Sequence, residues 1–200
     1  YKYINTIIKK LIKIILNKDL PLIIMSQVKP TFTRNIDWPK KLLFYQVETL
    51  IFGDAIRRAE NPERIITSTF DGNKIRNISY KKYLNMFKTK ILVMKYEEAE
   101  LCKMFINSYL VSNVTLTNNL AKICKELNLD WNKPKEALKL DKRIGKYSYL
   151  NPGLGISGGN LERDIVNLNN LNKQLNINTE LFQTFKNESK NQKKLLVETI

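Results

Sequence analysis

The chain has 200 residues, 43% hydrophobic and 26% charged, with 34 Lys and Arg against 19 Asp and Glu, giving a formal charge of +15. That length buries one substantial core, or one core and part of another, and the composition excludes wholesale disorder. Two cysteines exclude a disulfide scaffold, and the absence of His excludes His-based general-base chemistry and His-ligated metal.

A strongly basic chain asks for nucleic acid, an anionic membrane or a phosphorylated ligand. Lys is spread along the whole sequence beside Asn and Ile, with no compact Arg-rich run, which argues against a dedicated nucleic-acid patch. The opening residue is Tyr1, not Met, which reads as a fragment or a processed chain. The segment Tyr1 to Met25 is basic and apolar, but Lys interrupts it every few residues and no small-residue cleavage site follows. Neither a membrane span nor a signal peptide is expected, and the expected compartment is the cytoplasm.

In chain order, Ile4, Ile7, Ile8, Leu11, Ile12 and Ile15 predict a helix over 4–16 with one apolar face. Leu22 to Met25 predicts a buried strand, and Gln46 to Ala59 a loop entering a short helix. Arg64 to Thr67 predicts a second strand, Ser79 to Lys88 a helix, and Ile91 to Met94 another strand. Glu97 to Leu127 contains neither Gly nor Pro and predicts one long helix. Its apolar stripe is expected along Leu101, Phe105, Tyr109, Leu116, Leu120, Ile123 and Leu127. Such a helix is long for one small domain and suits a spine shared by two domains or two subunits. Further helices are expected over Lys135 to Leu140, Asn160 to Leu175 and Thr179 to Ile200. The fold class is therefore α/β: a partial Rossmann-like parallel sheet, then a helical domain built on one long helix.

The loop from Asn151 to Asn160 holds four of the seven glycines. Gly153, Gly155 and Gly158 have the spacing of a dinucleotide fingerprint, but they lie among helices instead of after a first strand. The better reading is a glycine loop delivering its last residues to a helix start, where the helix dipole favours an anion or a developing negative charge. Asn160 and Asp164 share a face of that helix, as Lys103 and Asn107 share one of the long helix. A carboxylate, an ammonium and two amides can hold a water and a sugar oxygen, although each taken singly reads as a surface residue. By itself, Glu48 reads as a capping or solvated carboxylate, and Arg143 as a charge near a helix end.

Six segments, in order, resemble motifs of the UDP-glucose/GDP-mannose dehydrogenase family. They are Ser26 to Thr33, Val47 to Ala55, Asn61 to Ile66, Ala99-Glu100 with Lys103 and Asn107, Leu140 to Gly145, and Asn151 to Asp164. The resemblance covers most of residues 20–195. It implies that 1–95 is the end of an NAD-binding domain and 96–200 a central helical dimerisation and substrate domain. The first half of the cofactor domain, with its own glycine fingerprint, and a C-terminal domain would lie outside the chain.

The family oxidises the C6 alcohol of a UDP- or GDP-sugar in two NAD-dependent steps, through a Cys thiolate. By resemblance, Lys103, Asn107 and Asp164 steady the oxygen that becomes the oxyanion, and Glu48 assists hydrolysis. Arg143 reaches the sugar nucleotide across a homodimer formed through the long helix. Tyr149, Gly153, Gly155 and Gly158 join it in binding substrate, and Gln27 and Glu48 face the cofactor. No metal is implied. The nucleophile's position is Asn160, and an amide is no nucleophile at neutral pH. Gln27, Thr31 and Phe52 also depart from the family pattern. Cys102, beside Lys103, lies about 100° round the helix and reads as a core thiol. Two alternatives remain open: a non-catalytic homologue that binds nucleotide sugars or dimerises, and a basic polyanion-binding module.

Overall fold

The computed structural model describes residues 2–15, 19–51, 53–156 and 159–197. The chain divides into two compact units, Tyr1–Lys103 and Met104–Ile200.

The first unit begins with helix α1 (Lys2–Ile14) and contains strands β1 (Leu22–Ile24) and β2 (Leu43–Tyr45). Helix α2 (Ala55–Glu60), strand β3 (Arg64–Thr69), helix α3 (Ile78–Leu84) and strand β4 (Lys90–Lys95) follow. β1 and β2 pair in parallel, Leu22 opposite Leu43 and Ile24 opposite Tyr45. β3 and β4 also pair in parallel, from Arg64 opposite Lys90 to Thr69 opposite Lys95. An antiparallel bridge between Gln46 and Thr67 joins the two pairs, and the Val47 N–H donates to the Ile66 carbonyl at 2.9 Å. Parallel strands covered on both faces favour runs of branched residues, and Ile65 and Ile66 supply them here.

Phe44, Ile65, Ile75, Tyr80 and Leu84 form the core of this unit, with the Phe44 and Tyr80 rings 4.5 Å apart. The buried Tyr80 hydroxyl stands 2.7 Å from the Thr67 hydroxyl and donates to Gln46 Oε1 at 2.8 Å. Burial pushes the Tyr80 phenol well above its ordinary pKa, so it stays a neutral donor. Asn77 caps α3 by accepting the Tyr80 N–H at 2.8 Å.

Helix α4 (Tyr96–Glu126) follows β4 without a loop. Glu98 fixes its start by accepting the Lys95 N–H at 2.7 Å. Asn128, at φ +55°, ends it, and the Leu129 N–H closes back on the Cys124 carbonyl at 2.7 Å. The second unit adds α5 (Asn132–Leu140), α6 (Gly159–Gln174) and α7 (Glu180–Val197). Its core packs Val111, Ile156 and Ile165 with Leu161, Phe182 and Phe185.

The α/β class and the long helix are as the sequence predicts. β2 was not anticipated, and the expected helix ends at residues 16 and 198–200 lie outside the described residues. Of the apolar stripe expected along α4, Leu101 and Leu120 are half-buried. The stripe through Phe105, Tyr109, Leu116, Ile123 and Leu127 is exposed, Tyr109 to 76%. The buried face of α4 instead carries Glu100, Met104, Asn107, Val111, Thr117 and Asn118. α4 is apolar on more than one side, and polar partners on neighbouring segments select the side that goes inward.

Candidate active site

Asn107 and Asp164 are both buried, 4% and 0% exposed, so the reading of each as a surface residue is overturned. The Asn107 side-chain amide donates to Asp164 Oδ2 at 2.5 Å, joining α4 to the second turn of α6. Arg163 lies 3.6 Å from the other carboxylate oxygen. Asn160 stands exposed in the first turn of α6, at the positive end of the helix dipole.

The glycine loop is tied down from both sides. The Gly153 N–H donates to Asn118 Oδ1 at 2.8 Å, and its carbonyl accepts from Gln192 at 3.1 Å. Gly155 has φ +86°, and a Cβ there would come within 3.0 Å of Ser189 Oγ. Ser189 Oγ in turn accepts the Ile156 N–H at 2.9 Å. Tyr149 accepts the Thr117 hydroxyl on its carbonyl at 2.8 Å and leaves its ring partly exposed. A polar cavity of about 270 Å³ opens beside Gly155, lined in part by Asn118, Lys122, Glu188, Ser189 and Gln192. Gly158 lies outside the described residues.

The other predicted residues have local partners of their own. The exposed Arg143 guanidinium pairs with Asp141, Nη2 to Oδ2 at 2.6 Å. That pairing holds the Asp141 carboxyl below its ordinary pKa. Glu48 and Gln27 lie in the loops at the carboxyl ends of β2 and β1. Glu48 accepts the Leu50 N–H within its own turn and helps line a cavity of about 120 Å³ with Met25, Gln46, Val47 and Arg58. Lys103 is half-buried on α4. Cys102 is also half-buried, and burial pushes its thiol up, which opposes a thiolate. No group of three Cys, Asp or Glu side chains among the described residues could hold a metal. No described helix is long and apolar enough to cross a membrane.

Sequence reasoning assigned no role to Glu100. It is fully buried, and its carboxylate accepts the N–H groups of Thr31 at 2.7 Å and Thr33 at 2.8 Å. Beside it, Arg34 pairs with Glu97 at 2.8 Å and lies 4.5 Å from the centre of the Phe70 ring. The available signal was a Glu on the same helix face as Met104, Asn107 and Val111.

The first unit carries parallel strand pairs and the second a glycine loop at a helix start, an α/β fold. Two solved structures share that fold. The UDP-glucose dehydrogenase of Pyrobaculum islandicum has a TM-score of 0.71 at 23% identity, over 84% of this chain and 40% of that one. The UDP-D-ManNAc dehydrogenase of Pyrococcus horikoshii has a TM-score of 0.76 at 17% identity, over 95% of this chain and 46% of that one. Residues 97–191 match the model of the UDP-glucose/GDP-mannose dehydrogenase family, central domain. The UDP-glucose 6-dehydrogenase of Rickettsia bellii is 28% identical over 193 residues, 92% of this chain and 44% of the relative. That of Rattus norvegicus is 28% identical over 134 residues, 65% of this chain and 27% of the relative. The chain thus spans less than half the length of these relatives.

Proposed function

We propose that the intact protein carrying this chain oxidises the C6 hydroxyl of a UDP- or GDP-linked hexose, with NAD as the electron acceptor, and stops at the aldehyde. The observation that carries this reading is the buried Asn107–Asp164 pair at the start of α6, where the nucleophile's position is Asn160. Removing a hydride and a proton from an alcohol requires no thiolate. Converting the aldehyde to a thioester does require one, and the thiol of Cys102 is held protonated by burial.

In this reading Lys103, Asn107 and Asp164 hold the reacting oxygen and a water. Gly153 and Gly155 let the sugar nucleotide approach the backbone, with Gly158, Tyr149 and Arg143 as further substrate contacts. Residues 1–95 act as the end of the cofactor domain and 96–200 as the central domain. NAD, when bound, accepts the hydride. The residues described here fit part of that cofactor: Gln27 and Glu48 lie where α/β sheets take ligands, at the carboxyl ends of parallel strands. No described strand runs through a glycine turn into a helix to cradle the pyrophosphate. The exposed stripe from Phe105 to Leu127 supports a homodimer through α4, because an apolar row of that length is usually covered.

The test incubates the intact protein with NAD⁺ and UDP- or GDP-sugars and follows NADH. One NADH per sugar consumed supports the reading, whereas two, or none with any of these sugars, sinks it. Asn160 also favours a second reading, binding without turnover. Calorimetric binding of a nucleotide sugar with no NADH formed would establish that instead.

A further inference from the structure

Glu100 has a role that neither the glycine loop nor the Asn107–Asp164 pair requires. Burying a carboxylate is costly unless its charge is met by donors. Here the donors are two backbone amides of one loop, Thr31 on Oε2 and Thr33 on Oε1. Successive amides that converge on one point form a concavity suited to an anion. To form it, Thr31 takes φ +73°, a conformation that disfavours a β-branched residue. The loop is closed further by the Phe32 N–H on the Lys29 carbonyl at 3.1 Å and by the Asn35 amide on the Thr31 carbonyl at 2.9 Å. Nearby, Arg34 and Glu97 pair with each other, and the Arg34 guanidinium lies 5.6 Å from the centre of the Tyr96 ring.

The loop follows β1 at its carboxyl end, and β2 ends in the same direction because the strands are parallel. In open α/β sheets that end is where ligands bind. We infer that Glu100 is a positioning residue: as a carboxylate it locks the Pro30–Thr33 loop into the wall of a dinucleotide crevice at the carboxyl ends of β1 and β2. The identity of the ligand rests on the proposed function, whereas the lock does not. Glutamine could accept one amide but would turn its own NH₂ toward the other, so Glu100→Gln should open the loop while preserving side-chain size.

The test labels threonine with ¹⁵N in the intact protein and follows the Thr31 and Thr33 amides through a pH titration. In the wild type the two shifts should move together at a common midpoint. In Glu100→Gln the titration should vanish, and both amides should exchange at least tenfold faster while Thr67 on β3 keeps its protection. Unchanged Thr31 and Thr33 amides in the variant would overturn the lock. NAD⁺ should bind the variant at least tenfold more weakly than the wild type, and equal affinity would overturn the positioning role. If the wild type binds no NAD⁺, the cofactor reading fails and the amide result alone decides whether Glu100 is a lock.

Discussion

The side chain of Asn107 donates to Asp164 at 2.5 Å across two helices, in surroundings closed to solvent. The two residues are 57 positions apart in the sequence, so the bond fixes α6, with the loop before it, against α4. Replacing Asn107 by Leu keeps the approximate volume and removes the donor. We expect Asn107→Leu to destabilise the protein by about 2–4 kcal/mol, since a buried carboxylate would lose a charge-assisted bond. Urea denaturation measures it, and a loss close to zero would mean that the pair contributes little.

Gly155→Ala should be costly for two reasons. The backbone sits at φ +86°, and the new methyl would meet Ser189 Oγ at 3.0 Å and Ser189 backbone atoms at 3.2 Å. Strain and crowding together predict a loss of about 2–4 kcal/mol. A thermal melt of the variant, compared with Gly153→Ala, checks it, because a Cβ at Gly153 meets nothing within 4 Å.

Thr31→Gly should act in the opposite direction on stability. It relieves a left-handed β-branched residue whose side chain is exposed. The relief exceeds the added unfolded-state entropy of glycine by about 0.5–1 kcal/mol. An unchanged or lower denaturation midpoint would contradict this.

Acid stability should depend on Arg34. Its hydrogen bond, and then its charge, hold the Glu97 carboxyl below the ordinary value, against an opposing effect of burial. A depressed carboxyl pKa stabilises the fold above the unfolded-state value, and the contribution is lost as pH falls through the folded-state value. Arg34→Met should therefore cost on the order of 1 kcal/mol at neutral pH, with the difference from wild type fading below about pH 4. Glu100 behaves in the reverse sense. Burial raises its carboxyl pKa against the opposing Thr33 and Thr31 amides, so ionising it to the form that both amides bond costs stability as pH rises from the ordinary carboxyl value through the raised one. A set of denaturation curves against pH separates the two.

What was legible in the sequence followed from local chemistry. Unbroken helix formers from Glu97 onward gave α4, Ile65 and Ile66 gave β3, and the crowd of glycines gave the loop before α6. The three residues of β2 were readable only as the apolar run Leu42 to Tyr45, too short to distinguish from a turn. The inward face of α4 was not legible, because hydrophobicity marks Phe105 and Tyr109 instead. The true face carries Glu100 and Asn107, whose burial depends on donors and acceptors far away in sequence, the amides of Thr31 and Thr33 and the carboxylate of Asp164. Periodicity cannot reveal those partners. Motif order could place Asn107 and Asp164 in one site, but it gave no sign of the bond between them.

The count of NADH formed per UDP-glucose consumed by the intact protein separates arrest at the aldehyde from oxidation to the acid. With Asn160 in the nucleophile's position, one NADH is predicted for each sugar oxidised, rising to two in Asn160→Cys. Two NADH from the unaltered protein would rule out arrest at the aldehyde, because oxidation would then run to the acid without a thiolate at that position.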